Sequence, residues 1–131
     1  MIAKGSLRRN HARKNGGYAD FAPIAVNSST LASQLLAEDV TVVEDFDKAT
    51  KTYSPKTRDG LTQYEIQTLF IPLEGDERHT VAIVPVKVWA KTKPVIKINA
   101  PVNFVNLKVT PWLMDDGKNG LSYSADGLKQ D

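Results

Sequence analysis

Residues 80–91, TVAIVPVKVWAK, are the longest strand candidate in the chain and indicate its fold class. Successive side chains of a strand point to opposite faces of its sheet. One face of this stretch is apolar, and we predict that it packs into a core: Val86, Val88 and Ala90. The other face carries an aromatic ring between two cations: Lys87, Trp89 and Lys91. Pro85 cannot donate a backbone hydrogen bond, so it predicts an edge position or a bulge.

Further strand candidates lie on both sides of this stretch. Thr62–Ile71 alternates in the way that is typical of a half-buried strand. Val102–Thr110 is also a strand candidate, in which a bulge near Val105 would return Phe104 to the core. Other short strands are predicted at Val40–Phe46, Val95–Ile98 and Leu121–Ala125. Turns are predicted at Tyr53–Gly60, Pro72–Arg78 and, as a hairpin, Asp115–Gly120.

Residues 28–38 form the one predicted helix. Ser28 or Ser29 can cap its start, and leucines at 31, 35 and 36 fall on one side at helical spacing. A helix this short requires a sheet to pack against. One helix followed by five or six short antiparallel strands, with a turn about every ten residues, predicts a mainly β fold. Such a pattern is typical of a small barrel or sandwich.

The composition limits the classes of function that the chain can serve. Its 131 residues correspond to one domain, and 41% of them are hydrophobic. There is no cysteine, which excludes disulfide scaffolds, zinc ribbons and thiol nucleophiles. No apolar run approaches the roughly 18 residues of a membrane span, so we expect no membrane partner. The basic start lacks the apolar segment of a signal peptide, and a cytoplasmic location is therefore expected.

The net charge is only +2, but the charges are segregated along the chain. Residues 59–77 hold five acids and no base, whereas residues 78–114 hold six bases and no acid. Both tryptophans lie in that basic stretch, and such a segment favours a polyanionic partner. The alternative is a solvated strand surface whose lysines keep a sheet edge soluble.

The first 25 residues are predicted to be a flexible basic arm, and residues 26–131 a β domain. Cationic arms of this kind often bind phosphates without sequence preference. On the strands, outward-facing lysines and tryptophans are typical of a surface on which bases stack and phosphates are neutralised. The predicted nucleic-acid-binding residues are Lys87, Trp89, Lys91, Lys93, Lys97, Lys108, Trp112 and, in the arm, Arg8, Arg9, Arg13 and Lys14. The alternative for Trp89 is that loops and lysine stems cover it.

The other candidate functional sites in the sequence are weaker. Glu44, Asp45 and Asp47 resemble a cation cluster in composition, but a solvated acidic face explains them better. His79 has no serine or aspartate partner at a recognisable spacing, and no phosphate loop, dinucleotide fingerprint or nucleophile elbow is present. We therefore expect no enzymatic activity, no metal and no cofactor.

Four runs in the second half of the chain carry a resemblance to a known family. In order, they are DGLTQYEI (residues 59–66), VPVKV (84–88), VNFVNLKV (102–109) and GLSYSADGL (120–128). The pattern resembles small single-strand-binding-like proteins of integrative and conjugative elements and plasmids of Gram-positive bacteria, one of which acts as a helicase processivity factor. The resemblance covers residues 55–128. It implies an OB-like barrel that binds single-stranded DNA and assists a helicase or relaxase.

Three functions are compatible with the sequence at this stage. The first is a non-catalytic single-stranded DNA-binding accessory protein in replication or conjugative transfer of a mobile element. The second is a protein-interaction or structural module that uses the same aromatic face, because tryptophan is also enriched at protein interfaces. The third, a double-stranded DNA regulator, ranks last because only one helix is predicted and a β-ribbon reader would need a dimer. The sequence leaves the oligomeric state and the choice between DNA and RNA open.

Overall fold

The computed structural model describes residues 18–131, and within this range the protein is mainly β. A single 3₁₀ turn, Ser28–Thr30, is the helical element of this part of the chain. The strands in chain order are β1 Tyr18–Asp20, β2 Ile24–Ala25, β3 Gln34–Val42, β4 Glu44–Asp47, β5 Thr52–Pro55, β6 Thr57–Arg58, β7 Leu61–Ile71, β8 Ala82–Ala90, β9 Ala100–Pro101, β10 Asn103–Val105, β11 Lys108–Met114, β12 Asn119–Ser124 and β13 Gly127–Lys129.

The centre of the fold is the antiparallel pairing of β7 with β8 on one side and with β3 on the other. Ile66 lies opposite both Val86 and Val40. Ile66 and Val86 are completely buried and Val88 is 2% exposed. The predicted core face of residues 80–91 is therefore confirmed at Val86 and Val88, whereas Ala90 is half-buried. Apolar side chains on the same face of three neighbouring strands bury a large continuous surface, which is the main favourable term in folding.

Strand pairings and chain connections extend from this centre on both sides. β9 pairs with the outer side of β3, and the chain continues from β9 directly into β10. β10 pairs with β13, which follows β12 in the chain, and β12 pairs with β8. The contact of β12 with β8 is parallel and covers Tyr123–Val86 and Ser124–Lys87, so the prediction of purely antiparallel strands is wrong at this point.

The β11–β12 hairpin extends the sheet and carries the start of the described chain. Its register runs from Lys108 opposite Ser124 to Leu113 opposite Asn119. Its turn closes through the Met114 amide, which donates to the Lys118 carbonyl at 2.7 Å, as the predicted hairpin requires. β1 and β2 both pair with β11. Residues 18–25 of the predicted arm thus contribute strands, and residues 1–17 lie outside the described residues.

The predicted helix at residues 28–38 is wrong. After the 3₁₀ turn, the segment enters β3 and pairs with β7 along its whole length. Leu35, Ala37 and Val40 are buried, with a register shift between Ala37 and Asp39 that preserves the inward side despite the odd spacing. Helical propensity is a weak preference, and the long-range pairing with β7 overrides it.

Two further segments differ from their predictions. Val95–Ile98 forms no strand, and Val95 is 94% exposed. The predicted turn Tyr53–Gly60 instead contains β5 and β6, which pair with β4 and β7. Strands this short form only where another segment offers backbone hydrogen bonds. Residues 52–58 have such partners in the neighbouring strands β4 and β7, whereas residues 95–98 are assigned to no strand.

The predicted strand at residues 102–110 is interrupted. Asn106 has a φ of +51° and separates β10 from β11, since the left-handed conformation cannot continue a strand. Asparagine tolerates that conformation better than most residues. The break returns Phe104 to the core, where it packs against the buried cluster, as expected for the bulged alternative.

The strands predicted at residues 62–71 and 80–91 are confirmed as β7 and β8, and the loop predicted between them is also present. Pro85 lies in an interior strand, but the pairing of β8 with β12 begins only at Val86. At Pro85, β8 therefore has no paired residue on the β12 side, as in an edge strand, so the missing N–H breaks no ladder there. Among the described residues, none belongs to a helix with the length and apolar character needed to cross a bilayer.

Candidate nucleic-acid interface

An open groove of about 630 Å³ runs across the outer face of β7 and β8. The segment from β4 to β6 forms one wall, the β11–β12 hairpin forms the other, and the loop between β1 and β2 closes one side. Its lining residues are Phe21, Pro23, Asp45, Lys56, Thr57, Arg58, Gln63, Lys87, Trp89, Thr110, Ser122 and Ser124.

The floor of the groove is built by strand alternation. Lys87 and Trp89 lie on the face of β8 opposite to buried Val86 and Val88, as predicted. On β7, Gln63 lies directly across from Trp89. A strand whose one face is fully buried has no freedom of register, so these outward side chains are held at fixed positions.

Arg58 covers one part of the Trp89 ring. Its guanidinium carbon lies 4.5 Å from the ring centroid, within the range of a cation–π contact. The pairing of β6 with β7, with Arg58 opposite Leu61, brings this arginine over the floor. Trp89 is half-buried. The side chain that covers its ring is an arginine, whereas the alternative prediction for Trp89 is a cover of loops and lysine stems.

The groove has a cationic lining. Lys56, Arg58 and Lys87 contribute three positive charges, and Asp45 contributes the one carboxylate among the lining residues. Hydroxyl groups of Thr57, Thr110, Ser122 and Ser124 supply neutral hydrogen-bonding groups on both walls. Cations, hydroxyls and one aromatic ring together suit a ligand that carries phosphates, sugars and flat apolar rings.

Gln63 is the buried polar residue of the groove. It is 8% exposed, and its Oε1 atom has no hydrogen-bond partner. Its backbone is fully engaged, because its amide donates to the Lys56 carbonyl and its carbonyl accepts from Val43, each at 2.9 Å. The strand is therefore fixed while the side-chain oxygen is left unsatisfied.

Trp112 lies on the same face of β11 as the groove residue Thr110 but is not part of the lining. It is half-buried and lies over Gly120, its cross-strand partner. A Cβ atom at Gly120 would come within 2.7 Å of the ring atom Cζ2 of Trp112. The glycine is required there because any side chain would collide with the indole ring.

Lys108 is engaged in a small polar cluster at the base of the same hairpin. Its Nζ lies 3.5 Å from Asp126 Oδ1, and Asn106 Nδ2 donates to Asp126 Oδ2 at 2.7 Å. The hydrogen bond from Asn106, followed by the charge of Lys108, lowers the pKa of the Asp126 carboxyl below its ordinary value. The charge of Lys108 is thus partly neutralised inside the protein.

The remaining predicted residues are spread over other parts of the molecule. Lys91 and Lys93 are exposed in the turn that follows β8, close in sequence to Trp89. Lys97 does not share the sheet face, because its Nζ donates to the Asp131 carbonyl and its amide donates to Gln130 Oε1 at 2.7 Å. That contact ties the irregular segment 95–98 to the C-terminal residues. Arg8, Arg9, Arg13 and Lys14 lie outside the described residues.

Ten of the twelve lining residues are not among the predicted site residues, and four of these ten contribute a ring, a cation or a buried amide: Phe21, Lys56, Arg58 and Gln63. Lys56 and Arg58 were assigned to a turn, and Phe21 to the arm. Gln63 has a usable signal in the sequence, since it alternates with Tyr64 and must lie on the face opposite to it. Arg58 has one too, because Asp59-Gly60 is a typical two-residue hairpin turn and pairs Arg58 with Leu61. Phe21 reaches the groove through the long-range pairing of β1 and β2 with β11, for which the local pattern gives no indication.

The weaker combinations of residues do not assemble into a site. Within residues 18–131, no group of three or more histidine, aspartate or glutamate side chains is placed to hold a metal ion. His79 does have an aspartate partner, since its Nδ1 lies 2.8 Å from Asp76 Oδ2 in the exposed loop after β7. This hydrogen bond is the main reason why the pKa of Asp76 is lowered.

Comparison of the chain with family models, with curated proteins and with solved structures gave no match. The functional assignment therefore rests on the groove itself.

Proposed function

We propose that the protein is a non-catalytic single-stranded DNA-binding accessory protein. One observation supports this most: Trp89 lies on the floor of an open groove together with Lys87 and Arg58. A tryptophan with cations beside it offers a stacking surface for a base and neutralising charge for the adjoining phosphates. Every base has a π-face, so such a site binds single strands with little sequence preference.

We propose further that the fold is an OB-like barrel. The arrangement of five chain segments supports this: pairings join β9, β3, β7, β8 and β12 in that order, β10 pairs separately with β13, and the chain links β9 to β10 and β12 to β13. The contact of β12 with β8 is parallel. OB folds bind oligonucleotides on the face of their second and third strands, between two flanking loops. The groove has the corresponding position on β7 and β8, between the β4–β6 segment and the β11–β12 hairpin.

In the proposed complex, the strand lies along the groove. A base stacks on the part of Trp89 that Arg58 leaves open, while Lys87 and Lys56 contact phosphates on either side. Arg58 holds the indole ring in place and presents its own planar face to the next base. The serine and threonine hydroxyls of the walls donate to phosphate or sugar oxygens. In this complex the protein binds and orients the strand, and no covalent bond is made or broken.

The resemblance found in the sequence motivates a more specific proposal for the biological role. We propose that the protein acts in the cytoplasm during replication or transfer of a mobile element, as a processivity factor for a helicase or relaxase. Residues 59–77 hold five acids and no base, and two of these acids, Glu74 and Glu77, are exposed in the loop after β7. We propose that exposed carboxylates of this segment contact the partner enzyme, such as Glu74 and Glu77 of the loop after β7.

A protein-interaction module is the competing function, and one observation favours it. Phe46 and Tyr53 pair across the β4–β5 hairpin with ring centroids 4.9 Å apart, and they are 48% and 67% exposed. Exposed aromatic pairs are typical of protein interfaces. On that hypothesis the groove lysines serve solubility, and the protein has no affinity for nucleic acid.

Intrinsic tryptophan fluorescence during titration with oligo-dT separates the two hypotheses. We expect quenching in the wild type and in Trp112→Phe, and its loss in Trp89→Phe. The logarithm of affinity should fall with that of salt concentration by about 0.7 for each phosphate neutralised, hence by about 2 for the three groove cations alone. Absence of quenching and of binding at low salt would reject the single-strand proposal and favour a protein partner.

A further inference from the structure

The unsatisfied oxygen of Gln63 marks a second kind of contact in the groove. A buried acceptor without a donor costs free energy that folding does not recover, so such atoms are rare in native proteins. Gln63 is more than nine-tenths buried, its Oε1 has no partner, and the residue lines the groove directly across from Trp89. A donor supplied by a ligand would remove this cost.

We propose that the Gln63 carboxamide forms hydrogen bonds with the edge of the base that stacks on Trp89. This inference rests on the proposed single-strand function and adds a base-recognition subsite to it. The carboxamide offers one acceptor and one donor side by side, and the base edges of nucleic acids present the complementary pair. The ligand class is therefore a nucleobase with a free N–H next to an acceptor, such as the N3–H and O4 of thymine or uracil.

The geometry of the floor is suited to such a contact. Gln63 and Trp89 are cross-strand partners on β7 and β8, and their side chains leave the sheet on the same face. Oε1 is itself buried, so the proposed contact requires the carboxamide to rotate toward the groove. The terminal torsion of a glutamine is broad, and such a rotation leaves the strand in place. A base stacked flat on the indole then presents its edge toward the neighbouring strand, where the carboxamide lies.

Gln67 is the matched control on the same strand. It lies two positions further along the same face of β7, opposite Pro85, and is not part of the groove lining. Its amide is already engaged, because Nε2 donates to Thr41 Oγ1 at 3.1 Å. The same chemical change, glutamine to leucine, can therefore be made inside and outside the proposed subsite.

The experiment measures a ratio of affinities, so that a general loss of stability cancels. Wild type, Gln63→Leu and Gln67→Leu are titrated with labelled oligo-dT and with the same strand built from N3-methylthymine. The methyl group removes the N3–H donor but keeps the ring and the phosphates. We expect the wild type and Gln67→Leu to prefer unmodified oligo-dT by about three- to tenfold, the worth of one neutral hydrogen bond. In Gln63→Leu the preference should fall to about one.

Two results would overturn the inference while leaving single-strand binding in place. One is a wild type that binds both strands equally well. The other is a preference for unmodified oligo-dT that persists unchanged in Gln63→Leu, which would mean that the methyl group acts by steric exclusion. If the wild type binds neither strand, the proposed function itself fails and the subsite fails with it.

Discussion

The two tryptophans of the protein lie on outward faces of strands, yet their surroundings differ. Trp89 stands on β8, an interior strand, with a cation over its ring and an open groove beside it. Trp112 stands on the β11–β12 hairpin and lies over the backbone of Gly120. The first ring lines an open groove, whereas the second fills the space left by a missing side chain. An exposed aromatic residue in a strand pattern can serve either purpose.

The largest expected effect concerns the two rings themselves. Trp89→Ala should weaken binding of oligo-dT by about 1–3 kcal/mol, the usual worth of a base–aromatic stacking contact. Trp112→Ala should weaken it less, because Trp112 does not line the groove. Fluorescence anisotropy with a labelled strand measures both losses.

Far-ultraviolet circular dichroism and thermal melting of each variant serve as the control for folding. The comparison fails if Trp112→Ala, with its fold intact, loses as much affinity as Trp89→Ala. In that case the binding surface extends over the hairpin, as the sequence pattern had suggested.

Strand alternation explains which parts of this contrast were predictable. Lys87 and Trp89 were placed on the outer face correctly, because a period of two residues is a local property of any strand. The prediction did not extend to Arg58, since its contact with Trp89 combines the short β6–β7 hairpin with the long-range pairing of β7 with β8. Nor could it separate Lys97 from the others, because it assumed a strand that does not form.

The failed helix illustrates the same limit in the fold. Leu31, Leu35 and Leu36 have helical spacing, and alanines between them favour a helix locally. Leu35 and Ala37 also fit the alternation of a strand, and eight residues of β7, 64–71, pair with β3. When the apolar residues of a short segment fit both helical and strand spacing, the local sequence does not distinguish the two structures. Here the pairing with β7, about thirty residues away in the chain, determines that the segment is a strand.

The second prediction tests how Trp112 is held. Gly120→Ala places a Cβ atom 2.7 Å from Cζ2 of Trp112 and 2.9 Å from Cε2, so the ring or the strand must move. Overpacking of this kind costs about 1–3 kcal/mol in the free energy of unfolding. Urea denaturation measures the loss.

Gly127→Ala provides the matched control, since a Cβ atom there meets nothing within 4 Å. We expect its free energy of unfolding to stay within about 0.5 kcal/mol of the wild type. In a Trp112→Ala background the cost of Gly120→Ala should disappear. A cost that persists without the indole would show that the glycine serves the backbone and not the ring.

The third prediction isolates the cation over Trp89. Arg58→Ala removes a contact worth about 0.5–1 kcal/mol and one groove charge. The slope of the logarithm of affinity against that of salt concentration should become shallower by about 0.7. Arg78→Ala changes the net charge equally, but Arg78 is exposed in the loop after β7, away from the groove. Equal changes of slope in the two variants would indicate that only the net charge matters.

The smallest expected effect concerns the polar cluster beneath the hairpin. The Asn106 hydrogen bond and the Lys108 charge lower the pKa of Asp126 in the folded protein. A lowered pKa contributes stability that is fully present above the ordinary value, about pH 4, and is lost as the pH falls through the folded value. The stability of the wild type relative to Asp126→Asn should therefore decline only below about pH 4.

The titration of the Asp126 carboxyl carbon, followed by NMR, separates the two causes. Because the Asn106 hydrogen bond is the largest single cause, the pKa in Lys108→Gln should stay below its ordinary value. A complete return of the pKa to its ordinary value in Lys108→Gln would show that the ion pair dominates. Lys108 would then be held by Asp126 in the folded protein. Its charge would be less available to a phosphate than that of Lys87, which lines the groove and forms no ion pair among residues 18–131.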